Sequence, residues 1–303
     1  SNDGTVVFGA LGRLWVRRGD AAPRRLTNST DFEFEPAFSA DGRRLVFVSW
    51  SDLHGSVVKI LTLKDGRTRE VFRTPALVRT PSFSPDGRQI VFRVSGGETY
   101  VGGHGAREGI YRLDLRTGES RFVLADGRHP VFAADGQRIY FNRKGKGGPQ
   151  AGVSLWSANL DGLDEREHVT TRAARVVIPS PDGKWLAIEE LGQVYLTPFV
   201  PAGSAWLAAP NGGGFPGRLL AAGLGRDLHW SPDSRTIHWL NGGEHFSAPV
   251  AAVFPHAGAP QDWVPRERGT ALGLEAETDR PDGRIALVGA RLITMLGDEV
   301  IEK

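Results

Sequence analysis

The chain has 303 residues, 40% of them hydrophobic, with 37 Lys and Arg against 35 Asp and Glu, a formal charge of +2 and a pI near 9.0. That length supports a sizeable core in one or two domains, and the interspersed signs exclude the clustered cations that nucleic acid or an anionic lipid surface would require. Cysteine is absent, which excludes disulfides, thiolate metal sites and a cysteine nucleophile.

Read in chain order, the first recognisable phrase is "DGTVVF" at 3–8, followed by "PAFSADGRRLVF" at 36–47. The same dozen residues return as "PSFSPDGRQIVF" (81–92), "PVFAADGQRIYF" (130–141), "VIPSPDGKWLAI" (177–188) and "LHWSPDSRTIHWL" (228–240). The turn aspartates Asp41, Asp86, Asp135, Asp182 and Asp233 lie at intervals of 45, 49, 47 and 51, with Asp3 38 residues before Asp41. Six registered units of this length are each a four-stranded blade. Within a unit, an apolar strand ending in Phe38, Phe83, Phe132 or Trp230 runs into an Asp-Gly turn, where glycine accepts positive φ and aspartate bonds its own backbone. A β-branched or aromatic strand follows, such as "RLVFVS" (44–49) or "QIVFRV" (89–94). A third ends near another turn, as in "VVKILTLKDG" (57–66), and a fourth, such as "TREVF" (68–72), leads into the next unit. Four strands per unit with almost no helical periodicity predict an all-β, six-bladed β-propeller of four-stranded antiparallel blades. A seventh blade stays open, because 191–226 and 243–275 are degenerate. A β-sandwich would not repeat one motif at this spacing, and β-helix coils are much shorter.

The aromatic column at 38, 83, 132 and 230 and its second-strand partners Phe47, Phe92, Phe141 and Trp239 are expected to pack between blades. The first unit lacks an innermost strand, since the chain enters it at its Asp-Gly turn. "TALGLEAET" (270–278) is expected to supply it, with Leu272, Leu274 and Ala276 beside Thr5–Phe8.

No run of ~18 uncharged apolar residues exists, so no membrane-spanning helix is expected; "ALVGARLITML" (286–296) is short and carries Arg291. The start shows neither a charged n-region nor an apolar h-region, as in a mature chain. The eight histidines (54, 104, 129, 168, 229, 238, 245 and 256) contain no His-x-His and no His-Glu-x-x-His, and no Gly-x-Ser-x-Gly elbow appears. His54 and His229, each in "DLH", are read as surface-loop residues. "GGGFPG" (212–217) fits a dinucleotide fingerprint only formally, because Pro216 and "AAP" (208–210) mark an irregular loop rather than a strand-to-helix turn. The glycine-rich stretches 96–105 and 143–152 read as insertions. Catalytic residues and metal ligands are therefore assigned as none.

One constellation remains. Seven residues before each turn aspartate stand Phe34, Arg79, Arg128, Arg175 and Arg226. Equivalent positions of a propeller lie on a ring about its axis, so Arg79, Arg128, Arg175 and Arg226 are the candidate ligand-binding residues at one channel mouth. Guanidiniums suit planar carboxylates, which makes an acidic chain end or a small anion the candidate ligand. The alternative is that each arginine staples blades through Glu33, Glu35, Asp227 or Glu275.

The "FSPDG-x-x-I-x-F" phrase resembles the TolB-type (WD40-like, PD40) β-propeller repeat over about residues 3–240 and lacks the Gly-His and Trp-Asp pairs of ordinary WD40 blades. "RPDGRIALVGARLITMLGDEVIEK" (280–303) resembles the opening strands of an amidohydrolase, whose small β-sandwich flanks a metal-dependent barrel; the alternative is a degenerate last-blade strand pair. "ALGRLWV" (10–16), "PSPDGKWLAIEE" (179–190) and "HWSPDS" (229–234) are similar to propellers that precede such enzymes. The resemblance implies a propeller at 1–282 and the first sandwich strands at 283–303. It further implies a bacterial, periplasmic or otherwise exported parent that hydrolyses C–N bonds with zinc or another divalent metal, while this stretch holds no cofactor. The family's His-x-His and later histidines and aspartate have no counterpart here. The partner implied is the chain's own C-terminal amidohydrolase domain, with the propeller as scaffold, docking surface or gate. A stand-alone, TolB-like periplasmic module that binds a peptide or protein is the second reading, and a self-sufficient enzyme with its site in the channel is the third.

Overall fold

The computed structural model describes residues 4–96, 107–145, 151–210, 213–221, 223–255, 263–277, 282–283, 286 and 288–301. Most of the insertions at 96–105 and 143–152 lie outside these residues. Two compact units are present, Ser1–Gly273 and Leu274–Lys303.

The local geometry of each blade starts at its turn. In blade 3, Ser84 Oγ donates to Asp86 Oδ1 at 2.6 Å, Asp86 accepts the Arg88 N–H at 3.0 Å, and the Gln89 N–H donates to Ser84 Oγ at 2.9 Å. Gly87 turns the chain at φ +65, and its carbonyl accepts from Arg44 of the preceding blade at 2.9 Å. The Ser–Asp bond recurs at Ser39–Asp41, Ser180–Asp182 and Ser231–Asp233. These bonds hold the Asp41 and Asp86 carboxyls below their ordinary pKa.

Such turns pair the strands into six sheets. Blade 1 holds β1 (Thr5–Ala10), β2 (Arg13–Arg18) and β3 (Arg24–Arg25). Blade 2 holds β4 (Phe32–Phe38), β5 (Arg44–Ser51), β6 (Gly55–Thr62) and β7 (Thr68–Thr74). Blade 3 follows with β8 (Leu77–Phe83), β9 (Gln89–Ser95), β10 (Gly109–Asp114) and β11 (Ser120–Leu124). Blade 4 comprises β12 (Arg128–Phe132), β13 (Arg138–Lys144), β14 (Val153–Asn159) and β15 (Arg166–Thr170). In blade 5, β16 (Ala174–Pro179), β17 (Trp185–Glu190) and β18 (Gln193–Pro198) are followed by an excursion, β19 (Trp206–Leu207), which adds parallel to β15 of blade 4. The chain then returns as β20 (Arg218–Ala221), the fourth strand of blade 5. That detour accounts for the longest repeat interval. Blade 6 holds β21 (Arg226–Trp230), β22 (Thr236–Asn241), β23 (Glu244–Pro249) and, after the short helix α1 (Val250–Val253), β24 (Thr270–Ala271). This is an all-β, six-bladed propeller of antiparallel blades.

Closure differs from expectation. Among the described residues, the ladder of β1 is to β2, with Phe8 opposite Trp15, and Leu272 is not beside Thr5–Phe8 in any strand pair. The late segment joins the open edge of β23 instead, with Ala271 opposite Glu244. The Gly269 N–H donates to the Glu244 carboxylate at 2.9 Å and the Leu272 N–H to the Gly243 carbonyl at 2.8 Å, so this segment is used before it can reach blade 1. The Arg17 guanidinium of blade 1 donates to the Ala271 carbonyl across that seam.

The core lies between blades. Five apolar clusters among the described residues bridge blades 1–2, 2–3, 3–4, 4–5 and 5–6. Phe47, Phe92, Phe141 and Trp239 are fully buried in them; Phe83 and Phe132 are nearly so, and Phe38 and Trp230 half-buried. Buried polar stitches cross the same seams: Val78 N–H to Ser56 Oγ at 2.9 Å, and the Asn142 amide to the Val177 N–H and carbonyl at 2.9 and 2.8 Å.

The second unit contains β25 (Leu292–Ile293) and β26 (Val300–Ile301), an antiparallel hairpin with Leu292 opposite Ile301. Val288, Ile293, Met295 and Leu296 are exposed on it.

Phe92 sits 4.7 Å from the Phe72 ring and stacks on Tyr111 at 6.1 Å. Phe92→Ala is expected to lower stability by about 3–5 kcal/mol in denaturant melts, as a large buried aromatic lost to a cavity. A loss below about 1 kcal/mol would contradict the blade register.

Candidate functional site

The innermost strands share a defect that shapes one end of the axis. Pairing skips between Phe34 and Ala37, Arg79 and Ser82, Arg128 and Val131, and Arg226 and His229. In the first three the gap holds Pro36, Pro81 or Pro130, which has no N–H to continue the ladder. The residue before it swings into the left-handed region: Glu35 at φ 52, Thr80 at φ 49 and His129 at φ 51. Asp227 does the same at φ 53 without a proline. Such non-glycine conformations cost of order 1–3 kcal/mol each and gather at functional sites.

Arg79, Arg128 and Arg226 stand immediately before these bulges, Arg175 lies inside the register shift between Ala174 and Val176, and most of the four have an internal acid. Arg79 Nε donates to Glu35 Oε1 at 2.5 Å, and the Thr80 N–H donates to the other oxygen of the same carboxylate. Arg175 Nε bridges both oxygens of Glu189 at 2.8 Å, and Arg226 lies 3.4 Å from the same buried carboxylate. Of the expected partners, Glu35 is used. Glu33 instead accepts from Thr27, while Asp227 lies close enough to raise the Arg175 pKa together with Glu189. Glu189 escaped sequence reasoning because it lies on β17, opposite Val176 in the sheet register rather than near an arginine in the chain. Arg128 has no carboxylate partner among the described residues.

Arg93, on β9 directly opposite Arg79, was also missed. It sits 3.8 Å from Glu108, and its pKa is lowered by burial and then by the charge of Arg128. His129 is surrounded by this group: burial first, then Arg175, Arg79, Arg128 and Arg93, push its pKa down to about 4. His229 is not a loop residue. It lies on β21 opposite His238, ringed by protein yet open to solvent, and desolvation lowers its pKa. His54 sits exposed in the turn after β5.

Two other clusters bring polar side chains within hydrogen-bond distance. Ser157 Oγ lies 2.7 Å from His168 Nε2, but Ser157 is fully buried and also accepts from Arg138 Nε at 3.0 Å. No substrate carbonyl can reach that oxygen. His238 Nδ1 and His245 Nε2 are 3.1 Å apart in stacked rings, and burial, then the charge of Arg17 in blade 1, lowers the His245 pKa. Among the described residues, no three His, Cys, Asp or Glu side chains come together in a group that could hold a metal ion. No helix among them is long and apolar enough to cross a membrane.

A family model described as the TolB beta propeller domain (PD40) matches residues 18–194, more than half of the chain. The chain belongs to the TolB-type β-propeller family. This TolB-type chain is 31% identical over 181 residues to the "Uncharacterized peptidase YuxL" of Bacillus subtilis (strain 168), covering 57% of the chain and 24% of that protein. It thus spans about a quarter of that relative's length. Among solved structures it is similar to TolB from Acinetobacter baumannii, at a TM-score of 0.59 and 18% identity over 80% of this chain and 59% of that one. It is also similar to XC5397 from Xanthomonas campestris, a gluconolactonase, at 0.58 and 17% identity over 82% of each chain. These likenesses concern the fold alone.

The depressed His129 has a pH signature. Its folded pKa of about 4 lies below the ordinary 6.5, so between those values the unfolded chain binds a proton that the TolB-type fold rejects. Its contribution to stability is therefore complete above pH 6.5 and lost as pH falls toward 4. His129→Asn, which tolerates the left-handed backbone, is expected to shrink the drop in urea midpoint between pH 7 and pH 4.5. An unchanged drop would show that His129 does not titrate in this way.

Proposed function

We propose that this propeller is a non-catalytic binding domain that takes an acidic chain end or small anion at its arginine-lined mouth. It serves docking or substrate access for a metal-dependent amidohydrolase of an exported, periplasmic parent. The observation that carries the binding role is Arg128, a cation without a carboxylate partner among the described residues, set beside Arg79, Arg93 and Arg175 around a neutral His129. Clustered guanidiniums repel one another unless an anion lies among them.

The accessory role rests on the hairpin of the second unit, whose exposed Val288, Ile293, Met295 and Leu296 suit burial by a following layer, and on the likeness of 283–303 to the first strands of an amidohydrolase sandwich. The relative named a peptidase, in which the matching stretch is a quarter of the protein, also favours a propeller working beside a separate hydrolase. The zinc or other divalent metal of that hydrolase would then be held by the partner domain, not by the propeller. A stand-alone module that binds a peptide at the same mouth is the second reading, favoured by the TolB likeness.

Two measurements bear on this. Arg128→Glu combined with Arg175→Gln is expected to weaken binding of a pentaglutamate peptide at least tenfold, with far-UV circular dichroism unchanged; unaltered binding removes the proposal. With added zinc, the 303-residue chain is expected to hydrolyse amide substrates no faster than buffer, and turnover abolished by a chelator would place catalysis in the propeller itself.

A further inference from the structure

Glu35 and its receptor form an internal template. Its side chain crosses from the bulge of blade 2 to the bulge of blade 3, where the Arg79 guanidinium and the Thr80 N–H hold both carboxylate oxygens. One repeat further on, every part of that receptor recurs. Arg128 takes the place of Arg79, and His129 takes the place of Thr80 with the same left-handed backbone, at φ 51 against φ 49. Pro130 takes the place of Pro81, and the pairing gap is the same. The residue standing where Glu35 stood is Thr80, which is too short to span the gap and carries no charge. The receptor is thus repeated and the internal carboxylate is not.

Two further atoms point the same way. Thr80 Oγ1 and Arg93 Nε are both buried without a hydrogen-bond partner, an expensive state for a hydroxyl and a guanidinium. Of the nearby acids among the described residues, Asp126 lies 3.6 Å from Arg143, and Glu108 stands 3.8 Å from the Nη2 of Arg93, leaving its Nε unpartnered. We propose that the Arg128 guanidinium and the His129 N–H, flanked by Thr80, form a receptor for one carboxylate of a bound ligand, in the manner that Arg79 and Thr80 hold Glu35. This rests on the mouth-binding reading and narrows it to one seam, between blades 3 and 4, and one functional group.

The template supplies a test that needs no ligand. Thr80→Glu restores the missing acid at a backbone position where Glu35 shows that glutamate is accommodated, so it is expected to raise the thermal midpoint. Thr80→Gln is expected not to. The gain should vanish when Arg128→Gln is combined with Thr80→Glu, giving a non-zero double-mutant coupling. No coupling, or the same gain from glutamine, overturns the receptor.

The ligand arm uses N-acetyl-Ala-Ala with a free C-terminus, its amide, and N-acetyl-Glu amide, followed by amide chemical shifts. The first or the third is expected to bind, which distinguishes a chain-terminal from a side-chain carboxylate, and the neutral amide is not. Arg128→Gln and Thr80→Glu should each weaken that binding about tenfold, the loss typical of one charge-assisted contact. If pentaglutamate binding falls in the Arg128→Glu, Arg175→Gln chain while neither single variant changes the small probes, the mouth still binds anions and this receptor is wrong. If pentaglutamate binding never depended on the arginines, both readings fail.

Discussion

Each blade of this protein is a thin sheet with two faces to cover, and only its neighbours can cover them. Everything else depends on that constraint. Fully buried Phe47, Phe92, Phe141 and Trp239 recur at one repeat position because each must fill the wedge between adjacent sheets. The Asp-Gly turns supply no comparable driving force; they fix where each sheet begins, so that the aromatic side chain arrives at the wedge in register. The polar bonds that cross the seams, such as the two made by the Asn142 amide, set the angle between blades that apolar contact alone would leave loose.

A rigid outer ring lets the inner strands depart from ideal geometry. Proline in the innermost strand breaks the ladder, and the preceding residue takes up the slack in the left-handed region. In an isolated sheet such strain would be relieved by slippage, because nothing would hold the register. Here the second strand of each blade is locked in an apolar seam, so the strain persists at the same height in blades 2, 3 and 4. The bulges turn side chains and amides toward the axis, and that is how Glu35 of one blade comes to rest on the amide of the next.

The fold was legible because its signals are local: a Ser-x-Asp-Gly turn and the aromatic residues flanking it can be read within a dozen positions and then counted. The same count put Arg79, Arg128, Arg175 and Arg226 at equivalent positions of their units. Their partners were not legible in the same way. Glu189 meets Arg175 through sheet register, and Arg93 meets Arg79 across a strand pair. The left-handed bulges did leave a trace, since Glu35, Thr80 and His129 each precede a proline, but the same dipeptide is compatible with a plain extended strand. Closure was misjudged for a similar reason. Any short apolar segment can complete an edge, and the unpaired edge of β23 lay closer along the chain than that of β1.

The five inner strands separate what the scaffold needs from what it does not. Positions that serve packing are nearly uniform: the second-strand aromatic is Phe in three blades and Trp in another. Arginine seven residues before the turn aspartate recurs in four blades. The left-handed residue of the bulge follows no rule, being Glu35, Thr80, His129 and Asp227 in blades 2, 3, 4 and 6. A purely structural staple would favour an acid at each left-handed position, since Glu35 shows that one fits there. Instead the charge is neutralised toward blades 5 and 6 through Glu189 and toward blade 2 through Glu35, leaving positive charge beside a histidine kept neutral at the blade 3–4 seam. On the reading proposed above, a symmetric scaffold acquires an asymmetric mouth in this way, whose ligand would carry the negative charge that the described residues do not place beside Arg128.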